Sequence, residues 1–265
     1  AEQVPLIVVS GAPPARRREA GARVHHLVDT YQLQLDVYRK ITAAAVQLTD
    51  PETAPAEIDR VLAASLARKL PGYIELPADM AGKPCRAPGP DWRPVAPVSD
   101  PAQLAAAVAE TAARFDRAMH PLALVGMELA RQRLGPDALR LVETVEIPFA
   151  SMLSSKSLLP EFHPQFVGIY QGGWSRETVR RQVEEADCLL ALGTWMTDLD
   201  TGLFSAHFDE PRTIFADSGR VRIGEKTFAN VQLGDFVRAL VSALRPRSYL
   251  ESHPAQPRQP RTPFV

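Results

Sequence analysis

The stretch PLIVVSGAP, residues 5–13, indicates the fold of the first part of the chain. Its run Leu6–Ser10 is short, rich in β-branched residues and apolar up to Ser10, and it ends at Gly11-Ala12-Pro13. β-branched residues favour strands, and a strand that is apolar throughout is typical of one buried on both faces of a parallel sheet. The stretch therefore predicts a buried strand of an α/β protein.

Residues 1–80 contain few further strand candidates. Apolar residues recur at helical spacing in residues 30–40 and 56–69, and Gly72–Leu76 has the composition of a strand that Pro77 ends. Two or three strands are too few for a parallel sheet that must be paired and covered on both faces. We expect other polypeptide to complete this sheet: segments outside this sequence, a partner chain or another copy of the protein.

A proline-rich connector precedes a second α/β pattern. Residues 81–101 contain six prolines, a density that favours an extended connector. Beyond it, predicted strands alternate with predicted helices, as in a doubly wound parallel sheet. The strands are predicted at 122–127, 148–153, 188–192 and 213–216, and the helices at 102–119, 136–145, 175–185 and 233–244. The last residues, 246–265, are again rich in proline and arginine.

The composition excludes several classes of protein. A net charge of −1 over 265 residues gives no basic surplus for nucleic acid, and no run approaches the ~18 apolar residues of a membrane helix. Cys85 and Cys188 lie in unlike contexts, so we expect neither a disulfide nor a zinc site, and we predict a cytoplasmic protein. The first residues also lack the basic and long apolar regions of a signal peptide.

His25 and His26 are the candidate catalytic residues. They follow the first predicted strand and its turn, and open α/β sheets bind ligands beyond the carboxyl ends of their strands. Imidazole titrates near neutral pH and suits proton transfer. Neighbouring side chains on a helix point about 100° apart, so two adjacent histidines share a ligand only in a loop or at a helix start. From the residues alone, a solvent-facing or packing pair remains the alternative.

Three weaker motifs each have a simpler structural interpretation. Gly168–Gly173 precedes a helix start and could hold a phosphate, but its spacing differs from G-x-G-x-x-G and favours a tight turn. Asp198 and Asp200 supply too few ligands for calcium and favour a turn with side-chain hydrogen bonds. Arg16–Arg18, followed by Glu19, is most simply a solvated face. The tryptophans, Trp92, Trp174 and Trp195, are interpreted as packing residues.

Several linked motifs resemble one family. SGAP (10–13), His25-His26, QLDVYRKIT (34–42) and YIELPADM (73–80) are similar to the later half of the pyrimidine-binding domain of thiamine-diphosphate-dependent 2-oxo acid decarboxylases. FHPQFVGIYQGGWS and VEEADCLLALGTWMTDLDTGLFS resemble the middle domain of pyruvate, indolepyruvate and phenylpyruvate decarboxylases. The resemblance divides the chain into a partial parallel-sheet pyrimidine-binding domain, a linker, a Rossmann-like middle domain and a second linker toward an absent diphosphate-binding domain. Their bounds are residues 1–80, 81–101, 102–245 and 246–265.

The resemblance also implies a reaction. It implies the non-oxidative conversion of a 2-oxo acid (pyruvate, indolepyruvate or phenylpyruvate) to an aldehyde and CO₂, with thiamine diphosphate and Mg²⁺ as cofactors. His25 and His26 would position the reacting species and relay protons. In this family the segment of Arg16–Arg18 lies near the approach to the active site, where it would attract the carboxylate of the 2-oxo acid. The family's activating glutamate and its Gly-Asp-Gly motif have no counterpart here, so the main cofactor ligands are expected outside this chain, and the chain alone is expected to be inactive. A homo-oligomer, dimer or tetramer, without nucleic acid or membrane partners is implied.

Other functions remain open from the sequence. One is an acetolactate-synthase-like carboligase, which would release an acetohydroxy acid instead of an aldehyde. Another is a non-catalytic remnant that binds partner subunits and does not bind thiamine diphosphate tightly. A free-standing nucleotide-binding module is disfavoured, because no proper phosphate loop occurs in the sequence.

Overall fold

The computed structural model describes residues 3–25, 27–87 and 92–247. The chain divides into two compact units, a first unit of Ala1–Pro97 and a second unit of Val98–Val265. Each unit has its own β-sheet, one of three strands and one of seven. Among the described residues, no helix combines the length and the apolar character needed to cross a membrane.

The first unit is a small parallel α/β layer. Its elements are β1 (Ile7–Ala12), α1 (Ala15–Glu19), α2 (Leu33–Ile41), β2 (Ala44–Gln47), α3 (Ala54–Arg68) and β3 (Gly72–Pro77). The strands are parallel and lie in the order β1-β3-β2. The predicted strands and helices are confirmed, whereas α1 and β2 were not predicted. Both are short, and a four-residue strand has too few positions to establish a pattern.

One prediction for β1 is wrong. Val9 is 63% exposed and Leu6 is 55% exposed, so the strand is not buried on both faces. Two features of the fold explain this: β1 forms an edge of the sheet among the described residues, and α3 packs on β2 and β3. The apolar composition of β1 therefore predicts more burial of its side chains than the described residues provide.

The second unit is a doubly wound sheet with an added hairpin. Its elements are α4 (Pro101–Arg117), β4 (Pro121–Val125), α5 (Met127–Arg131), α6 (Gly135–Val145), β5 (Phe149–Met152), β6 (Phe166–Tyr170), α7 (Glu177–Glu184), β7 (Cys188–Leu192), β8 (Thr213–Asp217), β9 (Gly219–Ile223), β10 (Lys226–Val231) and α8 (Leu233–Ala243). The strand order is β10-β9-β8-β7-β4-β5-β6. From β4 the chain moves outward to β6, returns to β7 beside β4, and continues to β8. The predicted doubly wound α/β fold is confirmed.

The core of the second unit lies on both faces of β4 and β7. Every residue of these two strands is buried, which explains why each has an almost continuously apolar sequence. Helices α4, α6 and α8 cover one face, with Phe115, Leu141 and Leu240 fully buried there. Helix α7 covers the other face through Val179 and Val183. The second sheet is therefore covered on both sides.

The two cysteines are expected to differ in reactivity. Cys188 is buried on β7, and burial raises the pKa of its thiol to about 12, while Cys85 is exposed. Because the thiolate is the reactive form, Cys188 should resist a disulfide-exchange reagent in the native protein. Titration of thiols should give one group per chain in buffer and two in denaturant. Two fast groups in buffer would contradict this prediction.

Asp235, in the first turn of α8, is expected to stabilise the second unit in a pH-dependent way. Ser99 Oγ donates to Asp235 Oδ2 at 2.6 Å, and this bond, followed by the ion pair with Arg238 at 2.8 Å, lowers the pKa of Asp235. A carboxyl group whose pKa is lowered by folding stabilises the folded state at pH values above its pKa in the unfolded chain, which is near 4. This contribution disappears as the pH falls through the pKa of the folded state. Asp235→Asn should therefore lower the free energy of unfolding by about 1 kcal/mol at neutral pH, a value discounted for partial exposure. Urea titrations should show this difference shrinking on acidification, and a difference independent of pH would refute the assignment.

Candidate functional site

The candidate active site lies where the chain leaves the carboxyl end of β1. Residues 13–32 connect β1 to α2, and the short helix α1 is the one helix among the described residues of this segment. Parallel sheets bind ligands beyond the carboxyl ends of their strands, so this segment has the expected position for a site. His25 lies in a turn of the segment and is exposed. His26 lies outside the described residues, and the catalytic role of both histidines stays a prediction.

Hydrogen bonds tie this segment to the sheet and to itself. Ala15 N donates to Asp79 Oδ2 at 3.0 Å, just beyond the end of β3. Near the other end of the segment, Tyr31 Oη donates to the carbonyl oxygen of Ala22. These bonds restrain the backbone on both sides of His25.

A polar row crosses the sheet under this segment. The strand register places Ser10 of β1, Glu75 of β3 and Gln47 of β2 side by side. Glu75 is only 2% exposed, and a buried carboxylate requires hydrogen-bond donors inside the protein. Tyr73 Oη donates to Glu75 Oε1 at 3.0 Å, and Gln47 Nε2 donates to Glu75 Oε2. The carboxylate is thus held from its own strand and from a neighbouring strand.

Helices α1 and α2 both contact this row. Arg18 of α1 donates to Gln47 Oε1. Gln34 of α2 donates through Nε2 to Tyr73 Oη at 2.5 Å and to Ser10 Oγ at 2.8 Å. Burial raises the pKa of Tyr73, so its hydroxyl remains a proton donor over the physiological range. The aromatic ring of Tyr38 stacks on Tyr73 with centroids 3.9 Å apart.

The polar row is not predicted from the sequence. The pattern of Gly72–Leu76 predicts a strand but indicates no role for Tyr73 or Glu75 inside it. The available signal was their spacing: residues two apart on a strand share a face, so an internal strand would bury both. For the neighbouring arginines, Arg16 and Arg17 are exposed as a solvated face requires, whereas Arg18 belongs to the row.

The glycine motif of the second unit forms a turn that packs against another loop. Gly172 has a φ of +51°, and a Cβ at this position would lie 2.2 Å from the carbonyl oxygen of Thr201. Glycine is therefore required for the close approach of the two loops. Trp174, in the same turn, is 58% exposed, so its interpretation as a packing residue is wrong.

The acidic motif of the second unit also forms a turn. Asp200 is 2% exposed and accepts hydrogen bonds from Ser154 N at 2.9 Å and Ser154 Oγ at 2.6 Å. The predicted turn is confirmed, but the expected local side-chain hydrogen bonds are not what holds Asp200: both of its carboxylate oxygens accept from Ser154, 46 positions earlier in the chain. In the part of the chain that the structure describes, no group of three or more His, Cys, Asp or Glu residues could hold a metal ion.

Comparison with known proteins gives one matching family model and several similar proteins. Residues 108–244 match the family model described as thiamine pyrophosphate enzyme, central domain. The chain is 34% identical over 246 residues to Indole-3-pyruvate decarboxylase from Azospirillum brasilense, which covers 93% of this chain and 45% of the relative. It is 32% identical over 263 residues to Alpha-keto-acid decarboxylase from Mycobacterium avium, and the match covers 97% of this chain and 46% of the relative. It is 31% identical over 248 residues to Probable pyruvate decarboxylase from Schizosaccharomyces pombe, and the match covers 92% of this chain and 43% of the relative.

These comparisons define what the chain represents. The chain spans about half the length of the curated relatives that it matches. The alignment to the relatives extends over both units, whereas the family model matches the second unit alone. The chain therefore belongs to the thiamine pyrophosphate enzymes.

Proposed function

We propose that this chain is part of a non-oxidative decarboxylase that converts a 2-oxo acid to an aldehyde and CO₂. Pyruvate, indolepyruvate and phenylpyruvate are the proposed substrates. The observation that carries the proposal is the 34% identity to a protein named Indole-3-pyruvate decarboxylase over 93% of the chain. The position of His25 beyond the carboxyl end of β1 adds support from the fold.

Thiamine diphosphate and Mg²⁺ are the proposed cofactors, but the described residues do not fit the diphosphate and metal end of such a site. Within residues 3–25, 27–87 and 92–247, no three His, Cys, Asp or Glu side chains group as metal ligands would. We propose that other polypeptide supplies these ligands. When bound, the cofactor supplies the electron sink that allows CO₂ to leave.

The proposed role of His25 and His26 is to hold and move protons. A neutral imidazole presents one N–H donor and one acceptor nitrogen, so two adjacent rings can donate one proton and accept another. His25 is exposed in a turn, where a substrate can reach its ring. The exposed Arg16 and Arg17 precede it and carry the positive charge that would attract the carboxylate of a 2-oxo acid.

A cytoplasmic homo-oligomer, dimer or tetramer, is proposed for the whole protein. Both cysteines are free, which fits a reducing compartment. Leu6, just before β1, and Val9, within it, are exposed and offer apolar surface that other polypeptide would cover. The proposed assembly would supply that polypeptide.

The proposal is tested by product analysis with the protein as its gene encodes it. With thiamine diphosphate and Mg²⁺ present, at least one of the three acids should yield equal amounts of CO₂ and aldehyde. His25→Ala and His26→Ala should each lower kcat by about 100-fold or more, because general acid–base catalysis contributes a factor of this size. His120→Gln is the matched control: it changes another exposed histidine, in the second unit, and should retain wild-type kcat.

Each outcome of this test has a defined meaning. An acetohydroxy acid as the main product would replace the decarboxylase with a carboligase. Absence of turnover with all three acids would contradict the proposed reaction. If His25→Ala and His26→Ala both behave like His120→Gln, the reaction stands and the role of the histidines is refuted.

A further inference from the structure

We propose that Glu75 is a positioning residue for the histidine segment, residues 20–32, because the two helices that flank this segment are both tied to its buried carboxylate. Helix α1 ends directly before the segment and α2 begins directly after it. Each helix reaches Glu75 through a single intervening side chain. The placement of the segment is a property of the structure, whereas its effect on catalysis rests on the function proposed above.

The first connection runs from α1 through β2. Arg18, in the last turn of α1, donates to Gln47 Oε1, and Gln47 Nε2 donates to Glu75 Oε2. An amide has its acceptor and its donor on opposite arms, so Gln47 can serve both partners at once. The end of α1 is thereby fixed to the centre of the sheet.

The second connection runs from α2 through β3. Gln34, the second residue of α2, donates through Nε2 to Tyr73 Oη at 2.5 Å, and Tyr73 Oη donates to Glu75 Oε1 at 3.0 Å. The same amide nitrogen of Gln34 reaches Ser10 Oγ at 2.8 Å, which ties α2 to β1 as well. The start of α2 is thereby fixed to the same carboxylate.

The direction of these bonds requires two acceptor oxygens at position 75. Both connections donate toward Glu75, and a carboxylate has two acceptor oxygens and no donor. A glutamine there would point its NH₂ group either at Gln47 or at Tyr73. In the first case Gln47 must reverse and turn its own NH₂ toward the Arg18 guanidinium. In the second case the Tyr73 hydroxyl must find another acceptor.

Packing alone does not require this network. The opposite face of β3 packs through Ile74 against Leu48 and Val61, all nearly or fully buried. A buried charged group is weak evidence for stability, since apolar side chains of similar size often stabilise a fold equally well. Directional bonds instead select one arrangement of the groups that they join. At this position they select the arrangement of the two helices that hold the histidine segment.

The test is amide hydrogen exchange in Glu75→Gln and in a matched control. The control, Glu57→Gln, makes the same carboxylate-to-amide change on α3 of the first unit, where Glu57 pairs with Arg60 at the surface. In Glu75→Gln, peptides from residues 20–32 should exchange about tenfold faster, while peptides from α3 keep their wild-type rates. In Glu57→Gln, the histidine segment should be unchanged.

Two further variants keep the proposal testable if Glu75→Gln does not fold. Arg18→Ala removes only the first connection and Gln34→Ala only the second, and both residues lie at the helix surface. Each should accelerate exchange in the histidine segment, and Arg18→Ala should add little to the effect of Glu75→Gln where the double variant folds. Unchanged exchange in the segment, or equal acceleration throughout the first unit, overturns the proposal.

Activity separates this proposal from the proposed function. In the protein as its gene encodes it, Glu75→Gln should lower kcat with little change in KM, as expected when a proton-transfer group is displaced. If His25→Ala and His26→Ala abolish turnover while Glu75→Gln retains wild-type kcat, the positioning role fails and the proposed function stands. If the histidine variants stay active while exchange in the segment rises in Glu75→Gln, the positioning role stands without the catalytic one.

Discussion

A carboxylate buried on the middle strand of a parallel sheet must find its hydrogen-bond donors inside the protein, and the arrangement of the first unit follows from this requirement. Glu75 lies between two strands, so its donors come from β3 itself and from β2. Those donors in turn accept bonds from α1 and α2. A single desolvated carboxylate thus fixes the positions of α1 and α2 relative to the sheet.

The second sheet could be predicted further from the sequence than the first. The strand Cys188–Leu192 is observed with the predicted bounds, because a strand buried on both faces leaves an uninterrupted apolar run. The strands β9 and β10 carry charged residues on their exposed positions and were missed. The pairing of these two strands depends on the turns that connect them and on the neighbouring strand β8. A short alternating sequence pattern reveals neither the turns nor the neighbouring strand.

The candidate site was predictable only in part, for a related reason. Two adjacent histidines after a strand and turn form a local pattern that a sequence displays directly. The role of Glu75 depends on its register with Ser10 and Gln47, which lie 65 and 28 positions earlier in the chain. A lone acidic residue in a strand is compatible with either face of the sheet. Its burial is decided by pairing over long separations, which composition and spacing do not encode.

The two units differ in the side chains that line the faces of their sheets. The second unit covers its sheet on both faces with apolar side chains, and it is the part that matches the central domain of the family. In the first unit, Val9 is exposed on the edge strand β1, and one face of the sheet carries the polar row. Polar groups of this kind contribute little net stability, but they fix geometry. The proposed proton-transfer residues therefore lie on the unit that has the smaller apolar core.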